Sequence, residues 1–208
     1  GRVQIPVSVD FERGYAEDPM QVKENAHRLL AAGAVGFNLE DGQADGRLSP
    51  LELQIQKIQA LCELKKELDL PFVINARTCA YWLNIGSEEE KLAEAVRRGN
   101  AFAEAGADCV FVPGAMNQET ARALVSGIHA PLNLILNGVY HDFAGLAKLG
   151  VRRLSTGSGP ARFLCEETIK MAEKIKDGDV DAVLQSTFSY AKANAFFQYR
   201  ILHLLHHV

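Results

Sequence analysis

Apolar and polar positions along this chain follow two periods that take turns. Near the start, Ile5, Val7 and Val9 recur at every second residue, then give way to Asp10, Phe11 and Glu12. A period of two marks a strand, here Gln4–Val9. Apolar residues then recur at helical spacing through Val22, Ala26, Leu29 and Leu30. This run follows Asp18-Pro19, an N-cap and a first helical residue. Gly33 stops the helix, and Ala34–Leu39 reads as the next strand, ending in Glu40 and Asp41. A helix runs from Ser49-Pro50 to about Leu68, and strand Phe72–Ala76 runs into Arg77-Thr78. Ser87 with Glu90 three residues on has the spacing of a capping box and opens a helix to Ala105. Strand Cys109–Val112, helix Asn117–Ser126 and strand Pro131–Leu136 follow. Helix Asp142–Leu149, strand Arg152–Ser155 and a helix from about Pro160 to Lys176 continue the alternation. A break at Asp177–Asp181 precedes a last helix, Ala182 to about Leu205.

Three segments repeat one design: LLAAGAVGFNLE, FAEAGADCVFVPG and LAKLGVRRLSTG each read helix end, glycine, strand, polar exit. Such βα units build a parallel sheet, and near-continuously apolar strands indicate burial on both faces. No GxGxxG follows the first strand, so a dinucleotide-binding fold has no signal. The class that fits is α/β, a TIM (β/α)8 barrel. That fold takes eight strands and roughly 250 residues, so the six strands here are expected to be strands three to eight of a barrel incomplete at its N-terminus. Residues 1–178 are the expected barrel domain. Residues 179–208 are expected to be a helical extension for oligomer contacts.

Composition narrows the function. The 208 residues are 48% hydrophobic and 23% charged, an ordinary globular balance. A net charge of −4 without a basic block gives nucleic acid no footprint. No apolar run reaches the roughly 18 residues of a membrane span, and no signal-peptide pattern precedes the first strand. Cys62, Cys79, Cys109 and Cys165 are scattered without a CxxC pair, which points to free thiols in a reducing, cytoplasmic setting.

In a βα barrel the chemistry sits at the C-terminal strand ends. Here those ends carry Asp10 and Glu12, Glu40 and Asp41, Asn75 and Arg77, Asn137, then Ser155 and Ser158. Asp10 and Glu12, two apart, face one side on a strand. Carboxylates are hard oxygen donors suited to magnesium. Arg77 offers a two-pronged fork to a carboxylate or phosphoryl group; the plainer role for it is an ion pair with Glu40 or Asp41. The turn TGSGP leading into a helix could receive an anion on its N–H groups. Tyr81 and Trp82 either line the mouth or cap the barrel. His129, His141 and the group His203, His206 and His207 read as surface or helix-end residues. Cys79 has no histidine nearby to make it a nucleophile.

The stretches PVSVDFERGY, AGAVGFNLEDG, ADGRLSP, FVINART, EAGADCVFVPG, APLNLIL and GVRRLSTGS, in order and at matching spacing from Pro6 to about Ala195, resemble the isocitrate lyase / phosphoenolpyruvate mutase superfamily. The resemblance implies a magnesium-dependent barrel, with manganese as a substitute ion. Its substrates would be small 2-oxo or 2-hydroxy carboxylates or phosphonates, with C–C or P–C bonds cleaved or formed. It places Asp10, Glu12 and Glu40 at the metal and Arg77 on the substrate's acidic group, with Asn137 and Ser158 as further substrate contacts. It also implies a dimer or tetramer whose last helix swaps onto a neighbour.

Three departures accompany it. The family's first two βα units, with a carboxylate-gripping loop and one more metal-site aspartate, have no counterpart. The gating loop that carries Lys and Cys in the lyases reads DGQADGRLSP, without either. Cys79 stands where an aspartate follows the ART, and Ala16 where a glycine follows the tyrosine. The alternative to an enzyme is therefore a non-catalytic partial barrel, an oligomeric scaffold or a gene-model fragment. A class II aldolase-like enzyme is disfavoured by the lack of strand-end histidines.

Overall fold

A computed structural model describes residues 5–185 and 187–198. Six parallel strands form one sheet in sequential order: β1 (Ser8–Asp10), β2 (Gly36–Glu40), β3 (Val73–Arg77), β4 (Cys109–Val112), β5 (Leu132–Ile135) and β6 (Arg153–Ser155). Between them run α1 (Pro19–Ala31), α2 (Leu51–Leu68), α3 (Glu88–Glu104), α4 (Gln118–Gly127) and α5 (Phe143–Leu149). Every crossover is one βα unit, as in an arc of an α/β barrel. Among the described residues neither β1 nor β6 has a second strand partner.

The helix ends follow their local chemistry. Asp18 accepts from Met20 N at the start of α1, and Asn117 accepts from Thr120 N at the start of α4. At α3, Ser87 Oγ accepts from Glu90 N while Glu90 Oε2 accepts from Ser87 N, a complete capping box.

The strands alternate two kinds of side chain. Phe37, Leu39, Ile74, Ala76, Val110, Val112, Leu132 and Leu134 are buried together with Val22, Ala26, Ile58, Leu61, Phe102 and Leu124 of the helices. The positions between them are largely polar: Ser8, Asp10, Asn38, Glu40, Asn75, Arg77, Asn133, Arg153 and Ser155. The sheet thus has one apolar face under the helices and one polar face; its central strands are buried on both, as their apolar runs indicate, since Asn75, Asn133, Cys109 and Phe111 of the polar face are buried as well.

The chain divides into two compact units, Gly1–Gly157 and Ser158–Val208. The second contains α6 (Gly159–Lys176), α7 (Asp181–Leu184) and α8 (Tyr190–Gln198). The expected single helix from Ala182 is interrupted. Ser189 Oγ accepts from Lys192 N and Ser189 O from Ala193 N, so the serine starts a new helix as an N-cap does. The remainder of that expected helix, 199–205, lies outside the described residues. Among the described residues no helix is long and apolar enough to cross a membrane.

Candidate active site

Strand register assembles the site. One row across the sheet pairs Glu40 with Arg77, Arg77 with Phe111, Phe111 with Asn133 and Asn133 with Arg153. A second row pairs Asp10 with Asn38, Asn38 with Asn75 and Asn75 with Cys109. In-register parallel strands place paired residues side by side on one face, so both rows belong to the polar face. A cavity of about 490 Å³ opens on it, lined by Asp10, Asn38, Arg77, Phe111, Arg153 and Ser155 among others.

Arg77 is held from three sides. Its Nη1 lies 2.8 Å from Glu40 Oε2. Its guanidinium sits 5.5 Å from the Trp82 ring centre and 5.7 Å from that of Phe111, within cation–π range. Its Nε is buried without a hydrogen-bond partner. Arg77 thus forms the ion pair with Glu40 that was its plainer expected role, and it also lines the cavity. Trp82 touches the site through Arg77, while Tyr81 is buried with the core.

The acids gather around that cation. Burial pushes the Glu40 carboxyl above its ordinary value, Arg77 pulls it back, and the charges of Asp10, Glu12 and Asp41 push it up again. Asn75 Nδ2 donates to Asn38 Oδ1 at 2.6 Å, and Asn38 Nδ2 reaches Asp10 Oδ1 at 3.5 Å, a relay that orients the Asp10 carboxylate. Glu12 does not continue the strand geometry of Asp10. Its φ is 47°, a left-handed conformation costly for a residue with a Cβ and frequent at functional sites. The loop holding it depends on Gly14, at φ 84°, where a Cβ would fall 2.7 Å from the Val22 methyls.

Asp41 has a different task. It is fully buried, accepts from Cys79 N at 2.8 Å and pairs with Arg98. Burial drives the Cys79 thiol up to about 12, so it remains protonated and unsuited to nucleophilic attack. Asn137 Oδ1 accepts from Val139 N and Tyr140 N, which turns the chain after β5. Ser158 opens the second unit just before α6 and makes no side-chain cap bond. His129 and His141 are exposed.

Among the described residues no three His, Cys, Asp or Glu side chains form a ready-made metal cluster. Magnesium keeps several waters and takes only one or two carboxylates directly. Such an ion takes hard oxygen donors, which the carboxylates of Asp10, Glu12 and Glu40 are by their chemistry. Arg153 is the cavity residue that the strand-end reading passes over. It begins β6 and precedes Ser155 by two positions, so the period of two already places both on one face.

An uncharacterized protein of Mycobacterium tuberculosis is 32% identical over 85% of this chain and 64% of its own length. An oxaloacetate decarboxylase of Rhodopseudomonas palustris is 28% identical over 84% of this chain and 60% of its own length. The chain thus spans somewhat under two thirds of these curated relatives. The crystal structure of a phosphonopyruvate hydrolase superposes with a TM-score of 0.74 at 28% identity, covering 89% of this chain and 66% of that one. The family model for phosphoenolpyruvate phosphomutase matches residues 1–176, so this chain belongs to that family.

Proposed function

We propose that the cavity is the substrate site of a magnesium-dependent lyase or mutase-like enzyme acting on a small 2-oxo carboxylate, with C–C or P–C bond chemistry. One observation carries the reading: the Arg77 guanidinium, braced by Glu40, Trp82 and Phe111, lines the same cavity as Asp10. The oxaloacetate decarboxylase and phosphonopyruvate hydrolase relatives support this substrate class.

Asp10, Glu12 and Glu40 would hold the ion, Glu40 mostly through water, and manganese could substitute. Bound magnesium supplies Lewis-acid stabilisation of charge developing on the 2-oxo oxygen. Arg77 binds the substrate's carboxylate or phosphoryl group with its planar fork. The two flanking rings fix that plane before substrate arrives, so little ordering remains to be done on binding. Asn75 and Asn38 orient Asp10 through their relay.

A non-catalytic scaffold is the second reading. It is supported by the edge of β1 away from β2, which has no strand partner among the described residues, since such edges recruit partners.

The test is calorimetric titration with magnesium, first alone and then with oxalate, a mimic of the pyruvate enolate. Saturable magnesium binding, lost in Asp10→Ala, and magnesium-dependent oxalate binding are the expected results. A folded protein that binds neither would overturn the enzymatic reading in favour of the scaffold.

A further inference from the structure

Arg153 stands out on the polar face. It is half-buried and lines the cavity with Arg77 and Asp10. Every other charged residue of the two register rows has a polar partner: Arg77 pairs with Glu40, and Asp10 receives Asn38. Arg153 has no ion pair or hydrogen bond to any described side chain. Its neighbours on the face are already bonded to each other. Asn133 Nδ2 donates to Ser155 Oγ at 3.2 Å, and Ser155 Oγ donates to Asn133 Oδ1 at 3.3 Å. A guanidinium taken partly out of water without a counter-charge is costly to keep. A bound anion would remove that cost.

Register places the two arginines on the same row, three strands apart. At about 4.8 Å per strand the backbones are roughly 14 Å apart along the sheet. Each arginine side chain covers several ångströms of that gap, and the Arg77 guanidinium leans toward it over Phe111. What remains is room for a small molecule with an acidic group at each end. Arg152, the adjacent cation, is exposed and not part of the cavity lining, so the feature belongs to Arg153 rather than to a general basic patch.

We infer that Arg153 is a specificity-determining residue of this cavity: it binds the second acidic group of a two-ended substrate whose first acidic group is held by Arg77. The inference rests on the proposed reading of the cavity as a 2-oxo-carboxylate site. It adds that a 2-oxo acid with a carboxylate and a phosphonate or second carboxylate is selected over one with a single acidic group.

The experiment measures binding of three probes in the presence of magnesium: oxalate, pyruvate and phosphonopyruvate. The full chain is compared with Arg153→Met, which keeps an unbranched apolar stem without the charge, and Arg153→Lys, which keeps the charge. Circular dichroism checks that each variant is folded. The native chain is expected to bind phosphonopyruvate at least about tenfold more tightly than pyruvate. Arg153→Met is expected to weaken phosphonopyruvate binding about 10- to 100-fold, as loss of a charged hydrogen-bond partner does. Oxalate and pyruvate binding should stay unchanged, and Arg153→Lys should restore part of the phosphonopyruvate affinity. If Arg153→Met retains phosphonopyruvate affinity, or loses all three probes equally, the role assigned to Arg153 is wrong while the cavity reading survives in the first case. If the native chain binds none of the probes, the cavity reading itself fails and this inference with it.

Discussion

Arg98 Nη1 donates to Asp41 Oδ2 at 3.2 Å, joining α3 to the residue that follows the last position of β2. The same nitrogen donates to Ser49 O at 3.0 Å, and Arg98 Nε to Glu94 at 2.6 Å. Asp41 is fully buried and also accepts from Cys79 N, so one carboxylate fixes the loop after β2 and the loop after β3. Glu40, its neighbour in sequence, instead pairs with Arg77 on the polar face. Removing Arg98 would strand a buried charge, which typically costs about 3–5 kcal/mol. Arg98→Met is therefore expected to lower the unfolding free energy by that amount, read as a lower midpoint of urea unfolding. A midpoint within error of the native chain would show that Asp41 is not held by this pair.

Lys57 explains how the strained acid loop is kept. It is fully buried in α2, and its Nζ donates to Arg13 O at 3.2 Å and Ala16 O at 2.7 Å. Glu17 stands 3.7 Å away. These carbonyls flank the segment that holds Glu12 in its left-handed conformation. Lys57→Met keeps the volume but leaves both carbonyls without their donor, a loss of about 1–3 kcal/mol. Magnesium affinity should fall as well, because the loop carrying Glu12 loosens. Hydrogen exchange of the amides from Phe11 to Ala16 should speed up in the variant. Unchanged exchange there would remove Lys57 from the account of the site.

Much of the fold is legible in the sequence because each helix announces its ends. Asp18, Ser87 and Asn117 bond the first-turn amides their spacing suggests, and Gly150 takes the left-handed conformation that ends α5. Strand ends place Asp10, Glu40 and Arg77 on one face for the same reason: two-residue periodicity is a local property. Tertiary facts were less visible. Nothing local distinguishes Asp41, consumed by Arg98 from a distant helix, from Glu40 beside it. Asn137 reads as a strand-end polar group, yet its carboxamide is occupied by its own turn. Glu12 leaves the strand period because Gly14 and Lys57 bend the loop. The interruption before α8 rests on a single serine cap, a weak signal inside an otherwise helical pattern.

Cys109 supplies a pH test. It is buried at the start of β4, and burial raises its thiol to about 11 while the Arg153 charge opposes the rise. A thiol ionises near 9 in the unfolded chain. Between those values the folded state holds a proton that the unfolded state has released. Its contribution is complete below about pH 9 and is lost as pH climbs toward 11. Folding stability of the native chain should thus fall more steeply over that interval than that of Cys109→Ala, by on the order of 2 kcal/mol at its end. Matched denaturation curves at several pH values measure the difference, and parallel curves would contradict the burial effect. Alkylation at pH 8 gives a companion readout: exposed Cys165 should react while Cys109 is protected.

The last prediction concerns the planarity of Arg77. Lysine would preserve the charge beside Glu40 but lose the fork and the stacked contacts with Trp82 and Phe111. If charge alone attracted the substrate's acidic group, Arg77→Lys would bind oxalate nearly as well as the native chain. If a pre-positioned fork is needed, affinity should drop about 10- to 100-fold, or roughly 1.4–2.7 kcal/mol. Magnesium binding without oxalate should change little, because its expected ligands are all carboxylates. The chain contains a single tryptophan, so Trp82 fluorescence reports on this corner of the site without a label. The native spectrum should shift as oxalate engages the guanidinium stacked on the ring. In Arg77→Lys that shift should vanish even at oxalate concentrations that saturate the weaker site. A full shift in the lysine variant would mean that Trp82 senses the ligand directly, and that the ring belongs to the binding surface rather than bracing Arg77.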